Sequence, residues 1–144
     1  MIKIESSILI YRPLNEVFDF ITSSARDFEW QAGTLASGNV PDGASGVGTS
    51  FRSVGHLMGR RLEGTFEITE HEAHRRYGFK SLSGPLHLHT MYKLEFSDGG
   101  TWVDISTQAT AANMIQAEEH TIQKYMQKQL TEDLTKLKAV LESR

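Results

Sequence analysis

The sequence predicts an α+β fold in which a curved, seven-stranded antiparallel sheet packs around one long C-terminal helix. Three observations point to it. An apolar stripe runs through residues 113–144, the segments upstream alternate apolar and polar residues, and the turns between them are too short for parallel crossovers.

Ile115, Ile122, Met126, Leu130, Leu134, Leu137 and Leu141 fall three, four or seven residues apart, so at 3.6 residues per turn they share one side of a helix. Asn113 suits its start, with Gln116 three residues on, and Lys136 and Lys138 suit the negative pole near its end. A rod of about 45 Å needs a partner surface.

That surface is written upstream. Ile2, Ile4, Ile8 and Ile10 alternate with polar residues as in a strand with one buried face. Pro13 suits the first turn of a short helix bearing Val17, Phe18 and Ile21, and Arg26 to Gln31 reads as a second short helix or turn carrying Phe28 and Trp30. Thr34 to Gly48 reads as a weak strand and an irregular loop. Further strands are expected at 49–57, 60–70, 76–81, 86–96 and 101–111, the last two joined by a tight Asp98-Gly99-Gly100 turn. Leu62, Gly64, Phe66 and Ile68 share an inward face, where the glycine suits a bend in the sheet. Leu88, Thr90, Tyr92, Leu94 and Phe96 point inward, with His87, His89, Lys93 and Glu95 outward. Both alternations of the 49–57 strand contain apolar residues, so its inward side stays open, with Arg52 and His56 as candidate pocket groups.

The totals narrow the function. The chain has the length of one domain, residues 1–144, with 15 Lys and Arg against 18 Asp and Glu. The net charge of −3 gives no field to attract nucleic acid or an anionic membrane. Without cysteine there is no thiolate nucleophile or ligand. No apolar run is long enough for a membrane span, and Lys3 and Glu5 stand where a signal peptide would be apolar, so a cytoplasmic location is expected.

Few residues suggest chemistry. Glu119 lies on the apolar stripe among Ile115, Ile122 and Met126, and buried there it would have a raised pKa suited to a general acid or base. The plainer alternative is that the early helix projects past the sheet and leaves Glu119 in water. Tyr92 could orient a carbonyl or donate a proton from the inward face. His87 and His89 sit about 7 Å apart on one strand face, but roughly 20 Å of strand separates them from His71 and His74, so no metal site is expected. Gly43 to Gly48 lacks the lysine of a phosphate loop, no nucleophile-elbow motif occurs, and no cofactor is expected.

In order along the chain, several features together resemble one family. They are the opening strand, Pro13 with Val17-Phe18, Trp30, Gly46-Val47-Gly48-Thr49, the strand from Arg60 through Gly64, Phe66 and Ile68 to the turn at His71, and Arg75-Arg76. Gly84-Pro85, Tyr92-Lys93-Leu94-Glu95, Gly99-Gly100-Thr101 and Leu134 to Leu137 complete the set. This order resembles the polyketide cyclase/dehydrase family of the START-like, or SRPBCC, superfamily. The resemblance implies a helix-grip fold with an apolar cavity between sheet and helix, and it is compatible with a homodimer. No catalytic motif carries over. The expected pocket comprises Trp30, Phe51, Leu62, Phe66, Phe79, Tyr92, Ile115, Glu119, Ile122 and Met126, and the expected function is binding of a small hydrophobic or amphipathic molecule. The alternatives are a polyketide cyclase/dehydratase-like enzyme acting on a flexible or aromatic substrate through Glu119 or Tyr92, and an interaction subunit using its outer surface.

Overall fold

A computed structural model describes residues 1–23, 34–40, 47–57, 60–83, 86–111 and 119–144. Strand β1 (Ile2–Ile10) leads into helix α1 (Leu14–Thr22), followed by β2 (Thr34–Val40), β3 (Ser50–Leu57), β4 (Arg60–Glu72), β5 (Arg76–Ser81), β6 (Leu86–Ser97), β7 (Gly100–Ala111) and helix α2 (Glu119–Glu142). The seven strands form one antiparallel sheet in the order β1-β7-β6-β5-β4-β3-β2. Six consecutive strands form a meander, and the first strand closes onto the last. The second short helix expected at 26–31 and the Asn113 cap lie outside the described residues.

The β6–β7 turn follows from its residues. Ser97 pairs with Gly100, leaving Asp98 and Gly99 as the two-residue loop, with φ of +57° and +82°. Such a loop needs two left-handed residues in a row, which Asp-Gly supplies at low cost.

Alternation sorts the side chains. Ile2, Ile4 and Ile10 of β1, Val103, Ile105 and Ala109 of β7, and Tyr92 and Leu94 of β6 are buried on one face, together with Ile122, Leu134, Leu137 and Leu141 of α2. Val17, Phe18, Phe20 and Ile21 of α1 fill one end, so the short helix buries one more aromatic than its expected face held. Pro13 stands one residue before this helix rather than within its first turn. Phe96 departs from the inward reading. It is 56% exposed, because β6 at that point has run past the buried interior towards the hairpin tip.

Gly64 also has a different reason from the bend expected of it. A Cβ there would sit 2.9 Å from the Ser83 carbonyl oxygen, because the chain leaving β5 folds back on β4. Leu82 N–H donates to the Thr65 carbonyl at 2.8 Å, and the Thr65 N–H donates to Ser83 Oγ at 3.1 Å. Close backbone approach, rather than curvature, excludes a side chain.

Helix α2 does two jobs. Its apolar stripe covers the inner face of the sheet, and its flanking polar residues hydrogen-bond the free edge of β1. Lys3 N–H donates to Gln123 Oε1 at 3.2 Å, Lys138 Nζ donates to the Leu9 carbonyl at 2.6 Å, and Tyr11 N–H donates to Glu142 Oε2 at 2.8 Å. An edge strand otherwise presents unpaired backbone groups to any other strand.

Candidate functional site

The inner face of β3 to β6 carries a continuous patch of aromatic rings. Cross-strand partners share a face, so register alone brings Phe51 opposite Phe66 and Tyr77 opposite Tyr92. Phe51 stacks on Phe66 with centroids 5.3 Å apart at 21°. Phe79 meets both edge-on, at 5.3 Å and 5.7 Å, and lies 5.9 Å from Tyr77 and 6.3 Å from Tyr92. These separations are those at which rings attract beyond simple burial, by about 0.5–1.5 kcal/mol a pair.

A β-bulge extends the patch. The β4–β5 register shifts between Ile68 and Glu70, which places His71 opposite Tyr77. One extra residue reverses the alternation. His71 therefore turns to the inner side, 6.0 Å from Tyr77 and 5.4 Å from Phe18 of α1. Phe18 thus ends the ring system, with His74 edge-on to it at 5.6 Å.

Coverage is uneven. Phe51, Tyr77 and Tyr92 are buried, whereas Phe66 and Phe79 beside them are only half-buried. A polar pair lies beside the aromatic patch. Thr90 and Thr107 are each 6% exposed and directly opposed, with hydroxyl oxygens 2.8 Å apart.

Of the residues expected to line a pocket, the structure therefore gathers Phe51, Phe66, Phe79 and Tyr92. Ile122 is fully buried in an adjoining cluster with Ile2, Ile4 and Ala109, and Met126 packs half-buried against it. For Leu62 only its backbone register, opposite Gly55, is described. Trp30 and Ile115 lie outside the described residues.

For Glu119 the structure bears out the plainer alternative, and its place among the expected pocket residues is corrected. It is 46% exposed, and its Oε2 lies 2.7 Å from the amino group of Met1. The start of α2 passes the end of β1 rather than the aromatic face, so the carboxylate stays in water. Arg52 points away from Phe51 and is ion-paired at 3.5 Å to Glu63 on the outer face, which settles the inward side of β3 in favour of Phe51. The side chain of His56 lies outside those described. His87 and His89 are exposed, and His89 Nε2 lies 3.2 Å from Thr69 Oγ1. The outer face also carries a groove of about 450 Å³ whose lining includes Glu5, Ser7, Arg76, Met91, Lys93 and Asp104, across which Ser7 Oγ donates to Asp104.

Two contributors are not legible in the sequence. A bulge leaves no mark in hydrophobic alternation, so His71 reads there as a turn residue. Thr107 shares the alternation of Val103, Ile105 and Ala109, but only register reveals that it faces Thr90.

Comparison with known proteins fits this geometry. The profile described as "Polyketide cyclase / dehydrase and lipid transport" matches residues 1–142. The chain belongs to this family. A START superfamily protein from Mycobacterium smegmatis superposes with a TM-score of 0.85 at 7% identity, covering 99% of both chains. A protein from Thermus thermophilus gives 0.83 at 19% identity, with 98% of each chain covered. The di-domain ARO/CYC BexL from the BE-7585A biosynthetic pathway gives 0.76 at 18% identity, with 99% of this chain spanning 47% of BexL. At such identities the likeness establishes the fold, which is the START-like one. No curated protein matches the sequence significantly. Among the described residues, no helix of this polyketide cyclase/dehydrase family member is long and apolar enough to cross a membrane.

Proposed function

We propose that this protein binds a small hydrophobic or amphipathic molecule against the inner aromatic face of β3 to β6. The supporting observation is the half-burial of Phe66 and Phe79 beside the buried rings of Phe51, Tyr77 and Tyr92. Apolar carbon left partly uncovered on an inner surface gains roughly 25 cal/mol per Å² when a ligand covers it. Membership of a family described by polyketide cyclisation and lipid transport agrees with an apolar ligand. The acid/base alternative keeps only one of its two candidates, Tyr92 on the inner face, since Glu119 lies at the surface.

Native mass spectrometry of freshly purified protein, paired with a titration using 8-anilinonaphthalene-1-sulfonate, tests the proposal. The expected result is one saturable dye site per chain, displaced by an added apolar compound or blocked by a co-purified small molecule. Absence of both saturable dye binding and any retained molecule would overturn it.

A further inference from the structure

We infer that the Thr90–Thr107 hydroxyl pair is the polar anchor of this site and donates a hydrogen bond to an acceptor oxygen of the ligand, such as a ketone carbonyl. The inference rests on the proposed binding at the aromatic face and adds the ligand's polar group to it.

The argument is one of donor accounting. Each threonine hydroxyl has one hydrogen to give. The 2.8 Å contact between Thr90 Oγ1 and Thr107 Oγ1 uses one of the two hydrogens, whichever residue donates it. The other has no acceptor among the described residues. Both side chains are 6% exposed, so bulk water is not at hand for it. A buried donor left unmade is costly, and valine has nearly the same shape as threonine without the hydroxyl. Two threonines facing each other beside the aromatic patch, with one hydrogen to spare, are therefore explained by something that accepts it.

Position supports the same conclusion. Thr90 opposes Phe79 on one side and Thr107 on the other, and it is two residues from Tyr92, so the pair borders the aromatic patch. On the far side, Thr107 opposes Ile4, within the cluster that Ile122 covers. A ligand lying across Phe66 and Phe79 would bring its polar end to the hydroxyls where the two apolar clusters meet. The spare group is a donor, so the matching ligand atom is an acceptor. A carbonyl or ether oxygen fits, and a hydrocarbon leaves the donor unmade.

The test compares 2-acetylnaphthalene with 2-isopropenylnaphthalene, which has the same shape but a CH₂ in place of the carbonyl oxygen, against the wild type and the Thr90→Val/Thr107→Val double variant. Replacing both hydroxyls removes the donor without stranding a partner, so the double variant should fold with an almost unchanged thermal midpoint. The expected result is that the affinity ratio of ketone to hydrocarbon falls roughly tenfold in the double variant, while hydrocarbon affinity holds or rises. A ratio unchanged by the double substitution, with both compounds still binding, would overturn the anchor and leave the apolar site standing. Failure of both compounds to bind either protein would overturn the two readings together. Thr90→Val alone strands the Thr107 hydroxyl and should lower the thermal midpoint below that of the double variant; the opposite order would show that the pair is not buried as a unit.

Discussion

The side-chain amide of Gln127 makes both hydrogen bonds with the backbone of Glu5 that a neighbouring strand would make. The Glu5 N–H donates to Gln127 Oε1 at 3.3 Å, and Gln127 Nε2 donates to the Glu5 carbonyl at 2.9 Å. Gln123 serves Lys3 one step earlier. The spacing matches because four helical residues rise about 6 Å and two strand residues about 6.7 Å. A helix laid parallel to an edge strand can therefore cap every second residue of it with glutamines four apart. Helix α2 thus grips the sheet by its edge as well as by its face.

Gln127→Ala should remove both bonds and leave the β1 edge at Glu5 open to water. A loss of about 1 kcal/mol in urea unfolding is expected, with faster hydrogen exchange at the Glu5 amide. Gln127→Glu keeps the acceptor and loses the donor, so it should fall between. Exchange at Glu5 as slow as in the wild type would show that another group caps the edge.

The architecture was readable from sequence because it depends on periodicity. The stripe from Ile122 to Leu141 and the alternation in β1, β6 and β7 are first-order consequences of 3.6 and 2 residues per repeat, and the Asp98-Gly99 turn follows from backbone sterics. What stayed hidden depends on register. The outward position of Arg52 is fixed only when Phe51 meets Phe66 across strands, and the bulge that turns His71 inward inserts one residue without altering composition. Glu119 shows the limit of a helical wheel. The stripe gives an angle around the helix, but not how far along the helix the sheet reaches.

Stability should fall in acid through Glu142. The Tyr11 N–H, and next the hydrogen bond from Lys138, hold its carboxyl below the ordinary value of about 4.5. A carboxyl with a depressed folded pKa contributes stability above its unfolded value, and that contribution is lost as pH falls through the folded value. Glu142→Gln should therefore flatten the decline in stability as pH falls below the ordinary carboxylate range, and lower stability at neutral pH, since the Lys138 ion pair at 2.9 Å goes with it. Equal acid sensitivity in both proteins would assign the loss to other carboxylates.

Gly100→Ala should cost about 3 kcal/mol, because the new Cβ would lie 2.5 Å from the Ile10 carbonyl oxygen and 3.1 Å from Tyr11 Cα. All of these are backbone atoms, so β1 and β7 must part where they meet. Gly99→Ala meets nothing within 4 Å and is strained only by its φ of +82°, for about 1 kcal/mol. Thermal unfolding of the two variants checks the order. A larger loss at Gly99 would mean that turn strain outweighs the close approach.

Phe79 should matter more to stability than Phe66, although both are half-buried. Its ring neighbours Phe51, Phe66, Tyr77 and Tyr92, whereas Phe66 neighbours only Phe51 and Phe79 in the ring network among the described residues. Truncation removes apolar burial and leaves a void that four packed rings cannot close, so Phe79→Ala should cost about 3 kcal/mol and Phe66→Ala about 2. If the face binds ligand, each variant should also weaken 8-anilinonaphthalene-1-sulfonate binding by roughly tenfold, through lost contact area on the ligand itself. Measuring both quantities separates the roles: stability lost with dye affinity unchanged would make the rings core packing alone and move the binding site elsewhere.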